Sequence, residues 1–423
     1  MAESLSDKLK SLGVQIGAKQ LPERKPARPK GFPIQEVVPG RLVETRYGTT
    51  YACEASYPQG YRHGVVTMQA KCSMHTLCQW GQVPALAERD LSNLVFLDTE
   101  TTGLAGGTGT LAFLIGLGYW NADGFHLVQL FLEEPSSEAA MIAALTETLS
   151  PFAGVVTFNG KTFDIPLLNS RHVINGFTPP FSALEHIDLL QLARRLWRNR
   201  LPSRALSSLE GEILGFQRTG EDIPGWMIPD LYYQYLTSRD ARPLAGVFYH
   251  NAMDILSLAA LFNHCAQMLE QPRTIPDPES LDLIAIARLY EDLGSWDQAV
   301  ELYELALSQG LPRDFLVQSL MRIATIHKKH MQWDLAVPIW KKAAEYGLVE
   351  ACLELAKHCE HRRRDYREAL RWTQRAEECL PGSGLGIWGQ REMVKDLARR
   401  RNRLVCKLER CGAEPDSELD VLE

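Results

Sequence analysis

Through the middle of the chain, short apolar runs alternate with stretches whose apolar positions recur every three or four residues. The runs at 94–98, 111–119, 127–134 and 154–158, with another near 185–189, predict strands. The longer period at 136–149, 164–174, 189–198, 205–214 and 245–269 predicts helices. Three strands come first, and strands and helices alternate after them. That order predicts, for residues 91–271, an α/β unit with a mixed sheet flanked by helices. Upstream, residues 34–90 carry short β-like pieces with turn signals at Tyr47-Gly48, Pro58-Gln-Gly60 and Arg62-His-Gly64. They read as a small β-rich extension leaning on the α/β unit.

Pro272, Pro276 and Pro278 break the pattern, and only helical periodicity follows. Residues 279–411 contain an internal repeat. Ala287, Tyr290, Trp296, Ala299, Tyr303 and Ala306 form its first unit. Ala324, Trp333, Ala336, Trp340 and Ala343 form the second, and Ala356, Tyr366, Ala369, Trp372 and Ala376 a looser third. The steps from Ala299 to Ala336 and from Ala336 to Ala369 are 37 and 33 residues. Small residues at helix crossings with an aromatic in each pair resemble tetratricopeptide repeats, whose period is about 34. Three units are about the minimum for a stable stack. The expected fold class is therefore α/β, a ribonuclease-H-like mixed sheet flanked by helices, followed by an all-α tetratricopeptide-like repeat domain. Residues 386–411 read as a capping helix and 412–423 as an acidic tail. Residues 1–33, with Lys19, Arg24, Lys25, Arg28 and Lys30, read as a disordered basic tail rather than an arm on phosphate.

Composition adds bounds. At 423 residues the chain is too long for one ordinary domain. With 45% hydrophobic and 23% charged residues it has the make-up of a globular protein. No run of about 18 apolar residues predicts a membrane span, and the N-terminal residues lack a secretory apolar segment. Nine cysteines without a framework spacing point to a reducing cytoplasm. The net charge of −7 argues against a generic nucleic-acid coat but leaves room for a local basic groove.

Candidate chemistry begins at Leu94-Val-Phe-Leu-Asp-Thr-Glu-Thr-Thr-Gly-Leu104. On a strand, Asp98 and Glu100 point to the same face. Two carboxylates that close repel, and a divalent cation with hard oxygen ligands, Mg²⁺ or Mn²⁺, removes the conflict. Two further acids fall at fitting places. Asp164 opens a helix after the turn Asn159-Gly160, and Asp254 sits in a helix otherwise rich in Leu and Ala.

Four acids delivered this way resemble the motifs of the DnaQ-like, or DEDD, exonuclease superfamily. Asp98 and Glu100 match its first motif, Asn159-x-x-x-Phe163-Asp164 its second and Asp254 its third. The finer resemblance is to the YprB-like ribonuclease-H-like domain family. It rests on Asp98-x-Glu-Thr-Thr-Gly-Leu104, Phe113-Leu-Ile-Gly116, Phe158-Asn-Gly, Asp222-Ile-Pro-Gly225 and His250-Asn251-x-x-Asp254. Tyr57-Pro and Tyr61-Arg-His-Gly64 add to it, as do the C-terminal repeats. The resemblance covers roughly residues 35–380. It implies phosphodiester hydrolysis with two divalent cations about 3.5–4 Å apart. Asp98 would bridge both. Glu100 and Asp254 would bind the one that holds the attacking water, and Asp164 would serve the other. Superfamily members place a histidine helper five residues before the last Asp, or a tyrosine four before. Here Tyr249 and His250 are interchanged. Four residues is nearly one helical turn, which favours His250 as the group that orients or deprotonates water. Tyr249 is the rival if the helix starts at Asn251.

Lesser candidates complete the picture. Lys161 in the turn could meet a phosphate. Arg194, Arg195, Arg198, Arg200 and Arg204 form a basic run with Trp197 inside it and no acid between them, a composition suited to single-stranded nucleic acid. A solvated helix face explains that run equally well. Asp188 reads as a helix N-cap. Cys72, His75 and Cys78 lack a fourth ligand for zinc. The glycine run 103–109 fits no phosphate-binding fingerprint.

The expected function is a metal-dependent DNA exonuclease in repair, with the repeats recruiting a protein partner, for instance a helicase. The alternatives are an RNA-processing nuclease, an endonuclease on a junction or flap, and an inactive nuclease-fold scaffold. DNA is expected over RNA, and no membrane is expected.

Overall fold

The computed structural model describes residues 31–103, 109–274 and 279–410. Most of the basic tail, the centre of the glycine run and the acidic tail lie outside the described residues. After a short helix α1 (Ile34–Val37), strands β1 (Arg41–Thr45) and β2 (Gly48–Pro58) form a hairpin. A small hairpin of β3 (Arg62–His63) and β4 (Val66–Thr67) and a helix α2 (His75–Trp80) lead into the α/β unit. There the chain runs β5 (Leu94–Thr101), β6 (Ala112–Trp120), β7 (Gly124–Phe131), α3 (Glu138–Leu149), β8 (Gly154–Thr157), α4 (Asp164–Ile174), β9 (Glu185–Asp188) and α5 (Leu189–Trp197). Helices α6 (Leu206–Glu212), α7 (Ile228–Ser238) and α8 (Ala245–Glu270) follow.

The strands make one seven-stranded mixed sheet in the order β1-β2-β7-β6-β5-β8-β9. From β1 to β5 all neighbours are antiparallel, whereas β5, β8 and β9 run parallel. The expected mixed sheet flanked by helices is present. One difference concerns the upstream segment. β1 and β2 do not lean on the sheet but extend it: β2 pairs with β7 from Tyr51–Phe131 to Pro58–Gly124. Local pattern marks a strand without naming a partner some eighty residues away. Helix α7 was also unforeseen. Its Pro229 stands in the first turn, where a missing N–H costs nothing.

The sheet is covered on both faces. Val95, Leu97, Ile115 and Leu130 pack with α3 and α7, and Phe96, Phe125 and Trp120 with α8. Helix α8 is apolar and long enough to cross a membrane by composition, but 67% of that window is buried inside the protein.

The C-terminal part is helical. It comprises α9 (Ser280–Asp292), α10 (Trp296–Ser308), α11 (Arg313–Lys329), α12 (Trp333–Glu345), α13 (Val349–His358), α14 (Tyr366–Cys379) and α15 (Ile387–Arg410). Ala299, Ala306, Ala336, Ala343, Ala356, Ala369 and Ala376 are all fully buried at helix crossings. They let successive helices approach closely.

Candidate metal centre

The site forms where β5 outruns its parallel neighbour. β8 pairs only with Leu94–Phe96, so the end of β5 has β6 on one side and open space on the other. Asp98 and Glu100 lie on this overhang, opposite Gly116 and Leu114. Helix α4 enters the gap. Asp164 is its first residue, but its carboxylate does not cap the helix. Instead Thr99 Oγ1 donates to Asp164 Oδ1 at 2.5 Å, tying the helix start to β5. Asp254 comes from α8, one turn beyond His250. Glu100, His250 and Asp254 bring one ligand atom each within 4.8 Å of one another.

Asp98 is latched from behind. Asn251 Nδ2 donates to its Oδ2 (3.0 Å), and Gln129 Nε2 donates to Asn251 Oδ1 (2.9 Å). Asn251 is fully buried and Gln129 nearly so. Close approach of α8 permits this latch, because a Cβ on Gly116 would lie 2.3 Å from Asn251 Oδ1.

The acids strain each other electrostatically. Burial, then Asp254 and Glu100, raises the Asp98 carboxyl well above the ordinary carboxylate range. Burial, then Asp254 and Asp164, pushes Glu100 up to about 8. Burial raises Asp164 to about 6 against the opposing Thr99 bond, and burial raises Asp254 despite the Arg218 cation. Partly exposed oxygens that resist ionisation together are a donor set suited to a hard divalent cation. The residues present therefore fit such an ion.

His250 is held by both ring nitrogens. Nδ1 lies 2.8 Å from Asp222 Oδ1, and Nε2 lies 3.4 Å from Asp254 Oδ2. A proton on Nδ1, shared with Asp222, leaves the Nε2 lone pair facing the acids. Tyr249 points elsewhere: its hydroxyl accepts from the Thr219 backbone N–H at 3.0 Å.

Several groups escaped the sequence reading. Arg218 contacts Glu210, Asp222, His250 and Asp254 at once. Asp222 belongs to the Asp-Ile-Pro-Gly segment already singled out, so a signal existed. Arg218 lies in irregular chain between α6 and α7 with no periodicity to mark it.

The basic run needs correction. Trp197 is fully buried and packs near His264, so it offers no face to a base. Its place was legible, since Leu190, Ala193 and Trp197 share one apolar helix face. Arg195 of α5 pairs with Asp292, and Arg200 in the turn after α5 pairs with Asp282 at 3.1 Å, so both are tied to α9. Arg194 and Arg198 are exposed, as is Lys161. Asp188 caps α5 through Leu190 N–H and also accepts from Asn159 and Lys161 N–H, shaping the turn before α4. Cys72 and Cys78 pack toward α8, where burial pushes their thiols up to about 11 and about 12. His75 meets Gln79 instead.

Comparison with known proteins agrees with this architecture. Residues 95–266 match the RNase_H superfamily. The chain is 33% identical over 337 residues to the "Uncharacterized protein YprB" of Bacillus subtilis (strain 168), covering 77% of this chain and 79% of that protein. On that identity and coverage the chain belongs to the YprB-like family of the ribonuclease H superfamily, and its mixed sheet followed by C-terminal helices fits that membership.

Proposed function

We propose that this chain is a metal-dependent nuclease of the DEDD type, acting as a DNA exonuclease in repair. The observation that carries the reading is the convergence of Asp98, Glu100, Asp164 and Asp254 in one cleft with raised proton affinities. Such a cluster is costly unless a cation is held there. These four acids would hold two divalent cations, Mg²⁺ or Mn²⁺. When bound, such ions supply a nucleophilic water and Lewis acidity at the phosphoryl oxygens.

The remaining chemistry belongs to the chain. His250, steadied by Asp222, offers Nε2 to take a proton from the attacking water. The Asn251–Gln129 latch fixes Asp98, and Thr99 fixes Asp164. Lys161, Arg194 and Arg198 are exposed cations available to a nucleic-acid backbone. A protein partner, such as a helicase, would use the helical repeats. Their cavity of about 460 Å³ is lined by Gln318, Met321, Arg322, Thr325 and Lys329. The cytoplasmic setting rests on the free cysteines.

The test is digestion of end-labelled single- and double-stranded DNA and RNA with Mn²⁺ or Mg²⁺, with Asp98→Ala alongside. Loss of label that needs metal and vanishes in the variant supports the nuclease, and the labelled end reports polarity. Cleavage of end-blocked DNA would mark an endonuclease, and preference for RNA an RNA-processing enzyme. A folded protein that cleaves nothing would leave the scaffold.

A further inference from the structure

We propose that Arg218 is a positioning residue that holds Asp254 and His250 in the arrangement a divalent cation requires. The inference rests on the metal-dependent reading above. Every guanidinium nitrogen is engaged inside the protein. Nε and Nη2 donate to the two oxygens of Glu210, at 2.8 and 2.6 Å. Nη2 also donates to Asp254 Oδ1. Nη1 donates to Asp222 Oδ1 at 3.4 Å, the carboxylate that takes the His250 Nδ1 proton, and so reaches His250 through Asp222. No nitrogen remains free to grip a phosphate, so the side chain acts through its neighbours.

The geometry sorts the two oxygens of Asp254. Oδ1 is taken by Arg218, and Oδ2 is left beside His250 Nε2, at 3.4 Å. An outer-shell donor of this kind fixes which oxygen a ligand carboxylate presents. Electrostatics alone would set a guanidinium against a cation. Glu210, 3% exposed at its side chain, opposes that through a two-pronged ion pair. The pair therefore supplies orientation with little net positive charge.

The segment bearing Arg218 is itself anchored. Val65 N–H donates to Leu214 O at 2.7 Å, and Phe216 stacks on buried His63 with ring centres 3.9 Å apart. Gly64 is required there, because a Cβ would lie 1.9 Å from Leu214 O and its φ is +61°. Beyond Arg218, Thr219 N–H is bound by the Tyr249 hydroxyl. The β3–β4 hairpin and Tyr249 thus staple this strap on either side of the arginine.

The experiment is Mn²⁺ titration of the full chain by electron paramagnetic resonance, with thermal unfolding as the check on folding. Arg218→Met is expected to weaken Mn²⁺ binding by about 10–100-fold. Arg218→Lys keeps the charge but not the fork, and should recover only part of the loss. Because Arg218→Met leaves Glu210 buried and unpaired, the double variant Arg218→Met/Glu210→Gln accompanies it. It should show the same weakening without an orphaned charge. A folded double variant that binds Mn²⁺ as tightly as the wild type, or more tightly, overturns the proposal and makes Arg218 a competitor of the ion. Wild-type protein that binds no Mn²⁺ would remove the metal reading and this inference with it.

Discussion

At the scale of single residues, the cleft holds more carboxylate than it can ionise alone. Glu100 sits at about 8 and Asp164 at about 6, above the ordinary range near 4. Raised values mean the folded protein binds these protons more tightly than the unfolded chain. The stabilisation is full below the unfolded values and is lost as pH rises through the folded ones. In chelator, the melting temperature should therefore fall between about pH 5 and about pH 8. Saturating Mn²⁺ should flatten that slope, because a bound cation favours the charged form. Melting curves across pH, with and without metal, check both halves; a flat chelated profile would contradict the raised values. His250 and Tyr249 separate more simply. His250→Ala should lower kcat by about 10²–10⁴-fold, whereas Tyr249→Phe, which loses only the hydroxyl's hold on Thr219 N–H, should cost much less. Steady-state rates on the preferred substrate would decide. Asp98, Glu100 and Asp164 stand out in the sequence because they end an apolar run or open a helix, and Asp254 because it is an acid inside an otherwise apolar helix. Arg218 and Glu210 do not, and Asn251, though part of the His250-Asn251-x-x-Asp254 motif, carries no sign of its hold on Asp98. They meet the acids only through long-range folding, and nothing in their neighbours announces it.

At the scale of elements, the site depends on how close α8 lies to β6. Gly116 and Gly118 make that approach possible: added Cβ atoms would lie 2.3 Å from Asn251 Oδ1 and 2.5 Å from Ile255 Cγ2. Gly116→Ala should cost about 1–3 kcal/mol of stability through overpacking. It should also weaken Mn²⁺ binding, since Asn251 must give way and release Asp98. Denaturant unfolding and a metal titration would show the two losses together. Loss of stability with unchanged metal affinity would mean the latch is unimportant. Another element-scale device lies far from the cleft. Glu360, with no exposed side-chain surface, receives Arg400, Arg403 and Lys407 from α15 at 2.7–2.9 Å. Burial alone would raise its carboxyl, but the bonds from Arg403 and Lys407 outweigh burial and hold it down at about 2. Glu360→Gln should loosen α15, read as faster amide hydrogen exchange over 387–410, while metal binding at the cleft stays intact.

At the scale of the whole molecule, architecture changes near Pro272 but packing does not stop there. Pro272, Pro276 and Pro278 read as a linker between two units, and the composition does change there. Yet one continuous core runs across it, joining Phe96, Leu258, Phe262 and Leu269 to Leu283, Ile286, Leu289 and Tyr303. Tyr290 Oη donates to Leu269 O at 2.5 Å, and Arg200 pairs with Asp282 in α9. Periodicity could find the helices on either side but not that α8 turns one of its faces toward α9. Farther along, Leu320, Ala324, Ala336 and Trp340 belong to a separate cluster. The first repeat, with Ile323 and Ile326 of α11, therefore serves as a wall of the ribonuclease-H-like fold, while most of the later helices pack in a cluster of their own. A chain ended at Thr274 should expose the α8 face, unfold at lower temperature and aggregate. One ended at His330 keeps α9 to α11, and with them Ile323 and Ile326 of the shared core. It should remain folded and bind Mn²⁺ as the full chain does. Soluble yield, melting temperature and metal affinity of the two truncations would test this. Equal behaviour of both would mean that the shared core adds nothing the α/β unit needs.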